Sequence, residues 1–112
     1  MSYLLVLSTA SSEKEARKLA QILLDRRLAA CVNILPRIES HYWWRGRKEK
    51  AREALLLIKT QSSAFKKLEK IIRKHHSYSV PEIIALPILK GSRPYLDWLS
   101  REVGSFDKFD RI

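Results

Sequence analysis

A chain of 112 residues, 46% of them hydrophobic, has the length and apolar content for one domain with its own core (1–112). Its 22 Lys and Arg against 12 Asp and Glu leave a formal net charge of +10, which raises polyanions as partners but equally fits solvated helix faces. The single cysteine, Cys31, excludes an internal disulfide and suits a reducing compartment, and no apolar run has the length of a membrane span or the basic flank of a secretory signal, so a cytoplasmic protein without membrane contact is expected.

Residues 3–9 are an apolar run that predicts a buried strand. Ser12 followed by Glu15 predicts a capping box and a helix with Ala16, Leu19, Ala20, Leu23 and Leu24 on one face. Lys14, Arg17, Lys18 and Gln21 lie opposite, and Arg26 and Arg27 are placed in the last turn, where cations suit the helix dipole.

Residues 29–60 predict two long strands joined by a tight turn at Arg45-Gly46-Arg47, with Gly46 supplying the positive φ that a short hairpin loop needs. A first arm covering 29–44 would reach roughly 50 Å at about 3.3 Å per residue, whereas a compact domain of this size is only about 35 Å across. Its end, with His41, Tyr42, Trp43 and Trp44, should therefore project. An exposed edge tipped with aromatics favours association, so a homo-oligomer with Tyr42, Trp43 and Trp44 at the interface is expected. The alternative is that Pro36 and a bulge fold the arm back onto its own domain. The second arm, 53–60, is apolar on both faces and reads as an inner strand covered above and below.

Ser62 and Ser63 offer an N-cap for a second helix, with Phe65, Leu68, Ile71 and Ile72 inside and Lys66, Lys67, Lys70, Arg73 and Lys74 outside, ending near His75-His76. Residues 80–88 read as a strand bracketed by Pro81 and Pro87, at an edge. Ser92-Arg93-Pro94 opens a short third helix with Tyr95, Leu96, Trp98 and Leu99. Gly104 is placed at its stop, before a polar tail with Phe106 and Phe109 that should be poorly fixed unless it docks on a neighbour. The order is β-α-β-β-α-β plus a short helix. It predicts an α+β, ferredoxin-like fold with two helices on one face of an antiparallel sheet.

Three chemistries compete for the remaining polar residues. His75-His76 and Cys31 are soft-metal ligand types, but no spacing within the chain completes a site, and the bland readings are a helix C-terminal cap and a small buried thiol. The run His41 to Lys48 mixes aromatics with basic residues and could hold single strands, yet the central strands read Leu-Leu-Leu-Ile rather than aromatic, so nucleic acid is not expected as a partner. Glu82, Glu49, Glu53, Tyr78 and the histidines are titratable, but no nucleophile–base pair is legible, and no enzyme is expected.

Five segments together, Ala29-Ala30-Cys31-Val32-Asn33, Tyr42-Trp43-Trp44-Arg45-Gly46, Leu57-Ile58-Lys59-Thr60, Val80-Pro81-Glu82-Ile83 and Tyr95-Leu96-Asp97-Trp98, resemble the CutA divalent-cation-tolerance family over roughly residues 3–102. The resemblance implies a ferredoxin-like subunit in a PII-like homotrimer, a cytoplasmic role in divalent metal tolerance, and copper binding proposed for some members. It implies metal candidates His75 and His76, with Ser8 where a proposed cysteine ligand stands, and an intersubunit cleft gathering Tyr78, Glu82, His41 and Lys59. A hydroxyl is a poor soft-metal ligand, so weak binding of copper or another divalent metal is expected. His76, Tyr78, Pro81 and Glu82 match the family's loop pattern, while Ser77 replaces a proline, which implies a looser loop. The alternative function is a PII-like signalling module whose clefts take a small anionic ligand through Lys59, Arg45 and Arg47.

Overall fold

The computed structural model describes residues 2–104, so Phe106 and Phe109 of the expected tail lie outside the described residues. The first apolar run forms β1 (Tyr3–Ala10), an inner strand. Ser12 caps α1 (Glu13–Asp25), its side chain accepting from the Glu15 N–H at 3.1 Å. The reciprocal bond lands one residue early, with the Ser11 N–H donating to Glu15 Oε1 at 2.9 Å. Ala16, Leu19, Ala20 and Leu23 are buried as the periodicity predicts, but Leu24 is exposed. Arg26 and Arg27 fall beyond the helix: Arg27 turns into the left-handed region at φ 56°, and its Nη1 donates to Glu102 Oε1 at 2.6 Å.

The long hairpin is β2 (Cys31–Trp44) and β3 (Arg47–Gln61). Its loop is two residues, Arg45 at φ 51° and Gly46 at φ 77°. Two positive φ values give the turn whose twist matches that of the strands. Leu35 faces Leu55 and Ile38 faces Glu53, so Pro36 and Arg37 share one position opposite Ala54 in a β-bulge, where the missing Pro36 N–H costs no regular ladder bond. The bulge does not fold the arm back, because pairing resumes at Ile38–Glu53 and runs to Trp44–Arg47. Since β1 reaches only as far as Ala54, this distal ribbon stands clear of the third strand by roughly 20 Å, at about 3.3 Å per residue. The molecule is accordingly elongated, 47 × 33 × 22 Å.

A 3₁₀ turn, Ser62–Ala64, leads into α2 (Phe65–His75), whose N-cap is Ala64 without a side-chain bond. The serines do not cap it, because the 3₁₀ turn takes them up; the Ser62 N–H donates to the Ser2 carbonyl at 3.0 Å. β4 (Ile83–Pro87) is shorter than the 80–88 run and occupies the expected edge. α3 (Arg93–Glu102) has proline in its first turn, and Gly104, at φ 76° just beyond it, donates its N–H to the Arg27 carbonyl.

The four strands form one antiparallel sheet, ordered β2-β3-β1-β4. α1 and α2 cover one face, and Val6, Leu56, Ile58, Leu19, Leu23, Leu68 and Ile72 make the core between them. The opposite face carries the alternate residues Leu5, Leu7, Leu55 and Leu57; Leu7 pairs directly with Leu57, while Leu5 faces Lys59 and Leu55 faces Thr9. α3 reaches one end of it, where Ser100 Oγ meets Tyr3 Oη at 2.8 Å and Gln61 Nε2 at 2.9 Å. Elsewhere this face is open, with Leu35 42%, Ile84 51% and Leu86 45% exposed. Cys31, expected inside, is half-buried on the same open face, cross-strand from Lys59.

Candidate functional site

Where the hairpin leaves the sheet, its open face and the loop joining α2 to β4 border an open cleft of about 600 Å³, within the range of small-ligand pockets. The bulge sets which side chains line it. Beyond Pro36-Arg37, Ser40, Tyr42 and Trp44 share a face with Glu53, while His41 and Trp43 alternate to the other side. Tyr42 and Trp44 border the cavity with Thr9, Glu53, Tyr78 and Glu82, and His41 reaches its rim, its Nε2 on Glu39 Oε1 at 2.7 Å.

The loop is fastened from beneath. His76 has a fully buried side chain. Its Nδ1 accepts the Tyr78 N–H at 3.0 Å, so the proton sits on Nε2, which donates to the Thr9 carbonyl at 2.7 Å. Next to it, Glu15 accepts from Ser11 N–H and Oγ and from Ser77 N–H and Oγ, all within 2.7–3.0 Å. Burial alone would raise the Glu15 carboxyl, but these bonds to the charged form outweigh it and bring the pKa down to about 2. Ser77 thus ties the loop to α1 with two donors that a proline lacks, contrary to the looser loop expected of this substitution.

The fastened loop aims Tyr78 across the cavity, and its hydroxyl donates to Glu53 Oε2 at 2.8 Å. Burial, this bond and the Glu53 charge push the phenol above its ordinary value. Glu82 follows on the same loop, its carbonyl held by the buried Ser8 hydroxyl at 2.7 Å. Burial first, and the Glu53 charge second, hold the Glu82 carboxyl above the usual carboxylate range. Two carboxylates therefore compete for one partly dry space in a chain of net charge +10.

The other sequence candidates are distributed differently. Both nitrogens of His76 are engaged, whereas His75 Nε2 is buried with no hydrogen-bond partner among the described residues. Among the described residues no group of three His, Cys, Asp or Glu side chains is placed to hold a metal ion. Lys59 donates to Asn33 Oδ1 at 2.7 Å on the open sheet face, twelve positions along β3 from Arg47 and so about 40 Å away, while Arg45 lies over the Trp44 ring at the tip. One subunit does not bring these three cations together. Glu53 stood in the sequence only as one titratable group among several; the strand register, which places it opposite Ile38 just past the bulge, is what makes it central.

The model of the family described as CutA1 divalent ion tolerance protein matches residues 4–102. The Divalent-cation tolerance protein CutA of Thermus thermophilus is 50% identical over 99 residues, 88% of this chain and 96% of that protein. Protein CutA of Mus musculus is 46% identical over 91 residues, 81% of this chain but 51% of that protein, so the chain spans about half the length of this mammalian relative. The solved Thermus thermophilus divalent cation tolerance protein superposes with a TM-score of 0.90 at 49% identity, covering 91% of this chain and 99% of that one. A structure from Archaeoglobus fulgidus, described as a periplasmic divalent cation tolerance protein, superposes with a TM-score of 0.87 at 39% identity, covering 89% and 97%.

Proposed function

Because the chain belongs to the CutA1 divalent ion tolerance family, we propose that it serves divalent-cation tolerance by binding metal weakly in the cleft between Glu53, Glu82 and Tyr78, closed by further copies of the chain in a homotrimer. The observation that carries this reading is that Glu53 and Glu82 line one cavity, with Tyr78 bonded to Glu53 at 2.8 Å; the Glu82 carboxyl, held above the usual range by burial and then by the Glu53 charge, agrees with it. A divalent cation between the two would remove their repulsion and favour both in the ionised form. Carboxylate oxygens are hard donors, so copper would enter as Cu(II) rather than Cu(I), with other divalent metals as competitors. His41, at the rim of the cleft, is the imidazole we assign to the site; His75, whose Nε2 is buried with no hydrogen-bond partner among the described residues, would have to turn outward to reach a neighbouring copy. His76 would bind only by giving up the bonds that fix Tyr78.

The trimer reading is supported by the open aliphatic face and the projecting ribbon, with Trp43 70% and Trp44 51% exposed. Fully burying one leucine is worth about 1.5–3 kcal/mol, and Leu5, Leu7, Leu55 and Leu57 realise only part of this within one subunit. The lone thiol suits a reducing, cytoplasmic setting. We read the role as binding, not catalysis: the family's name describes tolerance of ions rather than a reaction.

Titration with Cu(II), Zn(II) and Mn(II), followed by native mass spectrometry, tests both parts. A trimer taking up metal, with uptake at least 10-fold weaker in Glu53→Gln or Glu82→Gln, is the expected result. A trimer whose uptake ignores both substitutions would refute the cleft as the metal site. Thermal protection by phosphate-bearing ligands but not by metal would favour the small-anion signalling alternative.

A further inference from the structure

The outer face of α2 is electrostatically frustrated. Lys66, Lys67, Lys70 and Lys74 are all exposed, and none has an ion-pair or hydrogen-bond partner among the described residues. Arg73 is matched by Glu69 at 3.8 Å, so those two cancel. Lys66 and Lys67 stand in the first turn, which holds no acidic residue, at the positive end of the helix dipole where cations are disfavoured. Lys66, Lys70 and Lys74 also follow one another at i, i+4 and i+8, a like-charge row that destabilises a helix. Local rules broken together with no compensating contact mark a surface kept for something outside the subunit.

We infer that this face binds the phosphate backbone of duplex nucleic acid, without reading sequence. The lysine row rises about 6 Å per step along the helix, close to the roughly 6.8 Å of duplex axis spanned by two successive phosphate steps of one strand. The row is also rigid, because Leu68 and Ile72 on the reverse side are locked into the core. That burial argues against a membrane surface: an interfacial helix inserts its apolar side, and here that side is already occupied. It argues against single strands as well, since the one aromatic of α2, Phe65, packs on the core and leaves nothing on which bases could stack. The expectation against nucleic acid came from the aliphatic sheet, which lies on the opposite side of the molecule from this surface. The cleft and the open sheet face take no part, so this inference stands or falls separately from the metal site.

Anisotropy of a fluorescein-labelled duplex of mixed sequence, titrated with full-length protein at 50 and 200 mM salt, tests it. With four lysine–phosphate contacts, affinity should fall about 100-fold between those salts. The variant Lys66→Gln, Lys67→Gln, Lys70→Gln, Lys74→Gln should bind at least 10-fold more weakly at 50 mM, with little remaining salt dependence, while its melting temperature stays the same or rises. The companion variant Arg47→Gln, Lys48→Gln, Lys50→Gln on the hairpin should bind as wild type. No duplex binding at 50 mM salt, loss in the hairpin variant instead of the helix variant, or binding to phosphatidylserine vesicles without binding to the duplex would each overturn the inference.

Discussion

Replacing Glu15 by Gln removes one charge and leaves its neighbours in place. In the wild type the carboxylate collects donors from Ser11 and Ser77, and its pKa is about 2 against the ordinary 4.5. A carboxyl depressed in the folded state stabilises that state above the unfolded pKa and loses the contribution as pH falls toward the folded one. A difference of 2.5 pKa units corresponds to about 3 kcal/mol at pH 7, shrinking to about 1 kcal/mol at pH 3 and to almost nothing near pH 2. Glutamine keeps one acceptor oxygen but turns an NH₂ toward a serine donor, so most of this should be lost. Urea unfolding of both proteins at pH 7, 4.5 and 3, at one fixed protein concentration, reads it directly. The gap should be about 3 kcal/mol at pH 7 and should close as pH falls. A gap below 1 kcal/mol at pH 7, or one that does not change with pH, would refute the assignment of Glu15 as the ionised anchor of the loop.

Three further outcomes follow from the same contacts. Ser77→Pro suits the extended His76 before it (φ −83°, ψ 145°) but removes both donors to Glu15, so a net loss of about 1 kcal/mol is expected by urea unfolding, and a gain would refute the tie. Tyr78→Phe should cost about 1–2 kcal/mol and remove the latest-ionising tyrosine from an alkaline absorbance titration; an unchanged titration curve would mean that Tyr78 is not bonded to Glu53. On the proposed homotrimer reading, Leu57→Glu, which places a charge on the open aliphatic face, should yield monomers by native mass spectrometry, as should Trp44→Ala in part; wild-type mass and melting in both variants would refute assembly through this face.

Much of the architecture is written in local pattern. The faces of α1 and α2, the two long arms and the turn at Gly46 follow from apolar spacing and one backbone requirement, and all are present in the fold. The serine cap of α2 failed because the chain first makes a 3₁₀ turn over Ser62–Ala64, which leaves Ala64 at the N-cap. The cleft was legible only in pieces. Tyr78 and Glu82 belong to one short loop, but Glu53 reaches them through strand register, and the tie between Ser77 and Glu15 joins residues 62 positions apart. No periodicity encodes such a distance. The bulge was legible at Pro36, but its effect on facing was not: plain alternation from Leu35 would send Tyr42 and Trp44 to the wrong side.

That bulge makes the hairpin a matter of parity. The distal ribbon keeps its cleft-lining set only because one surplus residue is absorbed at Pro36-Arg37, opposite Ala54. Deleting Pro36 would iron the strand straight and leave Ile38, Ser40, Tyr42 and Trp44 facing as they do now. Deleting one residue between 38 and 44 would instead invert every side chain on the loop side of the cut. Length variation in this arm should therefore be survivable in single steps at the bulge and only in even steps beyond it. An even step keeps the aromatics on the cleft face but slides them roughly 7 Å along the strand relative to Glu53, so the ribbon's length sets how far they stand from the carboxylates.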